Sequence, residues 1–250
     1  MVKMKKICVF SAGRSDYFLL KPLIKRISFC KELDLKLVLG SMHTDKKFGS
    51  THKNVKADGF DIDFSVNNLS SKDTNEKVVR CLSKDLASYS KYLPKIKPDI
   101  AIVLGDRYET LSFVIACHFL RIPIVHIHGG ELSYGSFDDA TRHAITKFSY
   151  LHFPSSSKYR KRIIQMGEPP KNVKNFGSLA VESIKKIKKI SLKEISSKLK
   201  INLNKNYFLV TVHPETSKKT NNINEISSLI DVLEGFREFD IIWTGSNADP

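Results

Sequence analysis

Between Ile124 and Phe153 the sequence reads IVHIHGGELSYGSFDDATRHAITKFSYLHF. An apolar run ends in His126, His128 and the pair Gly129-Gly130. Three carboxylates, Glu131, Asp138 and Asp139, fall within nine residues, and Arg142, His143 and Lys147 follow. Titratable groups concentrated where a strand gives way to a loop and helix are where α/β proteins hold their chemistry. The stretch reads as the acid-base part of an active site. Four other places carry similar groups. Arg14 and Asp16 follow a first apolar strand, His43 follows a second, Asp106-Arg107 follow Gly105, and His213 stands in His213-Pro214-Glu215-Thr216.

The elements that must position these groups alternate strand and helix. Lys6 to Ser11 is a compact apolar strand, followed by a loop and the apolar-periodic Tyr17 to Ile27. Leu33 to Leu39 is a second strand and Phe60 to Val66 a third. Lys72 to Leu93 is helical, ended by Pro94 and Pro98. Asp99 to Leu104 has the near-continuous apolar character of a parallel strand covered on both faces. A helix over Tyr108 to Leu120 leads to the strand Ile124 to Ile127. A short strand at Leu151 to Phe153, a basic helix at Ser156 to Met166 and a strand-like Val173 to Phe176 complete a first domain, residues 1–182. Asn206 to Val212, Ile223 to Phe236 and Asp240 to Trp243 start a second alternation in residues 183–250. Two strands and a crossover bury too little to stand as a domain, so we expect this second domain to be incomplete.

Composition narrows the class. With 41% hydrophobic and 27% charged residues the chain is that of a soluble protein. Its start, MVKMKKICVFSAGR, imitates a signal peptide but has no small-residue cleavage pattern, and no apolar stretch reaches membrane-spanning length. We expect a cytoplasmic protein without a membrane partner. Cys8, Cys30, Cys81 and Cys117 form no CxxC pair and read as reduced, buried thiols. The net charge of +15 raises a nucleic-acid reading, but +11 of it lies in Lys158 to Lys205, where 14 Lys or Arg face three glutamates. There Ile184, Ile187, Ile195 and Leu199 recur at helical spacing, so the lysines read as the solvent face of a connecting helix. No aromatic interleaving or nucleic-acid motif accompanies them.

Taken in order, GRSDYFLLKPL (13–23), LGSMH (39–43), VLGDRYE (103–109), HIHGGE (126–131), FDDATRHAITK (137–147), FGSLAVE (176–182), VTVHPET (210–216) and TGSNADP (244–250) make the chain resemble the UDP-N-acetylglucosamine 2-epimerase family, especially its hydrolysing branch. The resemblance implies two Rossmann-like domains of GT-B type, the second incomplete here, no metal or redox cofactor, and a homodimer. It also implies elimination of UDP from a UDP-N-acetylhexosamine and hydration of the resulting glycal. By the same resemblance Asp106 and Asp138, with Asp139 beside the second, match acid-base residues. Arg14, Arg107, Arg142 and His213 match groups that approach the UDP phosphates, His213 also standing among the catalytic candidates. Asp16 and Asn247 match residues lining the nucleotide-sugar pocket, and His43 joins the substrate-binding set.

One position departs from the pattern. Where much of the family has a glutamate before the glycine pair, this chain has His128, and the next carboxylate is Glu131. Either His128 takes the acid-base role directly or Glu131 reaches into the same space; a third reading makes His128 a strand cap. Plain structural readings stand beside the others too. They are helix caps or ion pairs for Asp16, Asp106 and Asp138, a solvated loop for His43, and packing for His143 and His152. Because the resemblance expects a later phosphate loop and a ribose-contacting glutamate, this 250-residue chain is expected to bind UDP weakly and turn over slowly or not at all. The alternatives are a UDP-diacetamido-sugar 2-epimerase, a GT-B glycosyltransferase and a non-catalytic nucleotide-sugar binder.

Overall fold

The structure, a computed structural model, describes residues 4–68, 74–202, 206–212 and 223–245. It divides into two compact units, Met1–Lys185 and Lys186–Pro250.

The first unit is built on six parallel strands: β1 (Lys5–Ser11), β2 (Leu33–Leu39), β3 (Phe64–Ser65), β4 (Ile100–Leu104), β5 (Ile124–Ile127) and β6 (Leu151–Phe153). Their order across the sheet is β3-β2-β1-β4-β5-β6. The chain winds outward one way from β1 and the other way from β4, so the topological switch lies between them, where open α/β sheets bind ligands. The crossovers are α1 (Arg14–Ser28), α2 (His52–Ala57), α3 (Asn75–Ile96), α4 (Tyr108–Phe119) and α5 (Asp138–Phe148). Beyond β6 come α6 (Ser157–Gln165) and α7 (Leu179–Lys186).

Alternation along the strands divides the core into two layers. Cys8, Phe10, Ala101, Val103 and Ile124 pack with Tyr89 of α3, Phe113 of α4 and Ile145 of α5. Val9, Leu37, Leu39, Ile102, Leu104, Val125 and Ile127 pack with Tyr17, Leu20 and Ile24 of α1. Phe10 stacks on Phe113 with centroids 4.6 Å apart, and Tyr89 meets Phe113 edge-on at 5.2 Å. An apolar cavity of about 320 Å³ opens on the second layer, lined by Leu23, Ile102, Val125, Ile127, Phe153 and Leu179 among others.

Several sequence expectations are corrected. The third strand shrinks to two residues because Asp63 substitutes its side chain for a ladder group: its carboxylate accepts the Leu37 N–H at 2.8 Å. Helix α3 runs through Pro94 and stops when Lys97 turns left-handed, φ +48°, directly before Pro98. Val173 to Phe176 is not a strand; Val173 alone bridges to His152. Cys30 is only half-buried, unlike the other three cysteines.

The basic connecting helix is two helices, α7 and α8 (Leu192–Leu199), the second opened by Ser191, whose hydroxyl caps the Glu194 N–H at 3.3 Å. Its apolar stripe is not buried, for Ile184, Ile187 and Leu199 are 59–67% exposed. In the second unit β7 (Tyr207–Val210) pairs in parallel with β8 (Asp240–Trp243), with α9 (Ile223–Glu234) between them in the chain. Phe208, Phe236 and Phe239 cluster there, while Leu209, Ile241 and Trp243 remain exposed. No helix among the described residues is long and apolar enough to cross a membrane.

Candidate active site

The loops at the carboxyl ends of β1, β4 and β5, with the start of α5, carry most of the titratable groups singled out above. After β4 the backbone turns at Gly105, φ +80°, a conformation that side-chain-bearing residues rarely adopt, and Asp106 follows. Helix α5 begins at Asp138, which puts Asp138 and Asp139 in its first turn, where free N–H groups and the helix dipole favour anions. Asp138 accepts a 2.9 Å hydrogen bond from Ser136, and Asp139 accepts the Ser133 N–H at 2.8 Å.

One turn into α5, Arg142 gathers the site. Its side chain is only 9% exposed. Nη2 donates to Asp106 Oδ2 and, at 3.1 Å, to Ser133 Oγ. Nη1 donates to the His128 carbonyl at 3.0 Å and lies 3.5 Å from Glu131 Oε2. One guanidinium therefore ties the β4 turn, the β5 loop and the helix together. Burial pushes the Asp106 carboxyl above its ordinary range, opposed by Arg142 and Arg107 and reinforced by Asp138 and Glu131.

After β5, His128 adopts φ +62°, which for a residue other than glycine marks a local constraint. Gly130 follows at φ +77°, and a Cβ there would stand 2.7 Å from the Tyr159 carbonyl. Glu131 then splits its oxygens, Oε1 accepting from Ser155 Oγ at 2.6 Å and Oε2 facing Arg142. His128 Nδ1 lies 3.9 Å from Glu131 Oε1, and its Nε2 is buried without a hydrogen-bond partner among the described residues. Burial depresses the His128 pKa against the pull of Glu131, which favours a neutral imidazole with a lone pair to offer.

On the β1 side, Gly13 caps α1, so the alternative of Asp16 as the cap is corrected. Asp16 is instead the third helical residue and accepts from Ala12 N–H at 3.2 Å and Ser15 Oγ at 3.4 Å. Only 8% exposed, it has its pKa pushed up to about 7 by burial; Arg107 and the Ala12 N–H oppose this, Glu109 and Asp106 add to it. Arg14, two residues earlier in the same turn, is exposed and has no hydrogen bond or ion pair among the described residues. Arg107 donates from Nε to Glu109 Oε2 at 3.2 Å, and Glu109 is 1% exposed.

His43 is corrected in the other direction. It is fully buried, with Nε2 3.0 Å from Ser11 Oγ and Nδ1 2.8 Å from Thr51 Oγ1, so it is no solvated loop group and neither nitrogen is left for a ligand. Burial takes its pKa down to about 4. His152 is buried against Glu168 at 3.3 Å, and His143 Nε2 lies 3.8 Å from Asp139. His213 and Asn247 fall outside the described residues. Ser133, Ser155 and Glu109 were not singled out from sequence. Glu109 had a signal, two residues after Arg107 in VLGDRYE; the serines had none.

Comparison with known proteins fits this geometry into a lineage. A family profile described as UDP-N-acetylglucosamine 2-epimerase matches residues 25–250. The chain is 37% identical over 245 residues to the GDP/UDP-N,N'-diacetylbacillosamine 2-epimerase (hydrolyzing) of Campylobacter jejuni subsp. jejuni, covering 98% of this chain and 64% of that protein. It is 30% identical over 215 residues to a UDP-N-acetylglucosamine 2-epimerase of Neisseria meningitidis, covering 86% and 56%. The solved UDP-GlcNAc 2-epimerase from Neisseria meningitidis bound to UDP-GlcNAc superposes with a TM-score of 0.79 at 18% identity, over 99% of this chain and 67% of that one. That likeness shows the fold, an α/β architecture of GT-B type. The chain spans about 64% of the first of these relatives and 56% of the second.

Proposed function

The chain belongs to the UDP-N-acetylglucosamine 2-epimerase family, and from that premise we propose that it carries the acid-base machinery of a hydrolysing 2-epimerase acting on a UDP-N-acetylhexosamine. The observation that supports this reading most is the convergence of Asp106, the His128 carbonyl and Glu131 on the single guanidinium of Arg142.

The reaction asks for two proton movements and one departing anion. In the first stage a base takes the proton from sugar carbon 2, the bond from carbon 1 to the diphosphate oxygen breaks, and UDP leaves with the bonding electrons. In the second, water adds its hydroxyl to carbon 1 of the glycal and a proton returns to carbon 2 from the opposite face. A carboxylate and an imidazole with poised pKa values meet these demands without redox chemistry. Asp106, raised by burial yet held by Arg142, is one such group. His128 suits the other better than Glu131 does, because both oxygens of Glu131 are already engaged while His128 Nε2 has no partner among the described residues. Glu131 then supports whatever charge the imidazole acquires. Asp138 completes the acid-base set, and Asp139 holds the Ser133 loop. Arg14 and Arg107 take the diphosphate charge, with His213 and Asn247 assigned to the nucleotide by resemblance alone.

The test is incubation of the chain with UDP-N-acetylglucosamine in deuterated water. Free UDP together with N-acetylmannosamine bearing one deuterium at carbon 2 is the expected outcome. UDP-N-acetylmannosamine with UDP still attached would move the chain to a non-hydrolysing chemistry, and an untouched, undeuterated substrate would defeat the proposal. A second reading, that the sugar carries two acetamido groups, is favoured by the name of the 37% identical Campylobacter relative. Comparison of kcat/KM for the mono- and diacetamido UDP-sugars separates the two.

A further inference from the structure

His126 has no part in the chemistry above, yet it is fully buried in β5 between Val125 and Ile127. A buried parallel strand is normally filled by aliphatic side chains, and an imidazole there carries a desolvation cost that only hydrogen bonds offset. The structure supplies two. Nε2 lies 2.7 Å from the Gly105 carbonyl and Nδ1 3.1 Å from Thr146 Oγ1. Thr146 Oγ1 is in turn 3.0 Å from the carbonyl of Arg142, one helical turn back in α5.

We infer that His126 is a positioning residue, which links the β4 turn that presents Asp106 to the α5 turn that presents Arg142. The chemistry of the partners fixes its tautomer. A carbonyl can only accept, so the Gly105 contact requires the proton on Nε2 and leaves a lone pair on Nδ1. Burial drives the imidazole pKa down to about 3, so the ring stays neutral throughout the physiological range. The Thr146 hydroxyl has one hydrogen to divide between Nδ1 and the Arg142 carbonyl, so the ring and the helical turn compete for it and are held together by it.

The glycine pair gains a second explanation from the same arrangement. Gly130 is required by its positive φ and by the Tyr159 carbonyl. At Gly129, by contrast, a Cβ would stand 2.8 Å from His126 Nδ1 and 3.0 Å from Thr146 Oγ1. Gly129 is bare because the link passes beside it.

The inference rests on the reading of Asp106 and Arg142 as a working pair, but its test needs no substrate. In the full chain, the imidazole ¹⁵N signals of His126 are expected to report a proton on Nε2 with no titration between about pH 5 and pH 8. The ¹³C carboxyl titration of Asp106 is then followed in His126→Gln, which can return an N–H to Gly105, and in His126→Asn, which reaches only the Thr146 side. With the β4 turn released from the ring, and Asp106 thereby drawn off Arg142, Asp106 should titrate about one unit higher in His126→Asn and within a few tenths of wild type in His126→Gln. Equal shifts in the two variants, no shift in either, or a proton on Nδ1 would overturn the inference. If His126→Asn does not fold, His126→Leu, which cuts both ends of the link, takes its place; an Asp106 titration unchanged there also overturns it. A chain that fails to turn over UDP-sugars but shows these shifts loses the epimerase reading and keeps this one.

Discussion

The two sides of the topological switch treat charge differently. On the β4–β5 side Asp106, Glu131, Ser133 and the His128 carbonyl all converge on one largely buried guanidinium. Among the described residues, Asp16 on the β1 side is just as enclosed but has no guanidinium in contact, only an N–H and a hydroxyl at 3.2 and 3.4 Å, while Arg14 stands in solvent without a partner. The first side is preorganised: its dipoles are already aimed and need no rearrangement when charge develops in a substrate. The second side is open by comparison, its cation unneutralised among the described residues and its carboxyl poised near neutral pH, as a surface suited to receive an anion.

The sharpest way to break that contrast is to remove the acidic charge from each side in turn. Asp106→Asn keeps an oxygen for Arg142 but loses the proton-transfer group, and UDP release should fall about 10²–10⁴-fold. Asp16→Asn should cost far less. Equal losses in a steady-state UDP-release assay would show that both sides do acid-base work. Next in size is Arg142→Met, which leaves Asp106 half-buried and uncompensated; urea unfolding should show a loss of about 2–3 kcal/mol. Adding Asp106→Asn to that variant should recover much of the loss, since the stranded charge is then gone.

Asp16 also gives a pH signature. Its folded-state pKa of about 7 lies above the ordinary aspartate value of 3.8, so between those pH values the folded chain holds more proton than the unfolded one. Stability therefore falls as pH rises through that window, at most about 1.4 kcal/mol per pH unit. Arg107, Glu109 and Asp106 face the carboxyl and set the midpoint. Asp16→Asn should flatten the slope measured by urea unfolding at pH 4 to 7 without changing it above; a slope left intact would mean that the carboxyl is ionised in the folded chain throughout.

The same contrast explains what the sequence disclosed. Strand and helix order was legible because alternation and near-continuous apolar runs such as Ile100 to Leu104 follow directly from burial on both faces of a sheet. Asp106, His128, Glu131 and Arg142 were legible because unlike charges crowd into short segments after strands. What could not be read were contacts between distant segments. Ser155 on Glu131 and Asp63 on Leu37 arise from tertiary approach, and a serine or aspartate in a loop looks the same with or without a partner. His43 misled for the same reason, since a polar loop in sequence became a buried brace between Ser11 and Thr51. The stripe Ile184, Ile187, Leu199 had helical period, but Ser191 restarts the helix and period alone does not report what covers a face.

The smallest effect tests the open side most directly. Arg14 lies in the first turn of α1, at the carboxyl end of β1 beside a helix amino end, where backbone N–H groups and the helix dipole already favour an anion. Because it is exposed and has no partner among the described residues, Arg14→Ala should change the unfolding free energy by less than about 0.5 kcal/mol. If the β1 side receives the diphosphate, calorimetric affinity for UDP should drop about three- to tenfold at low ionic strength. The difference from wild type should shrink in about 0.5 M salt, because an exposed charge is screened whereas a buried one is not. An affinity loss that ignores salt would place Arg14 inside a closed contact, and no loss at all would make the β1 side as self-contained as the other.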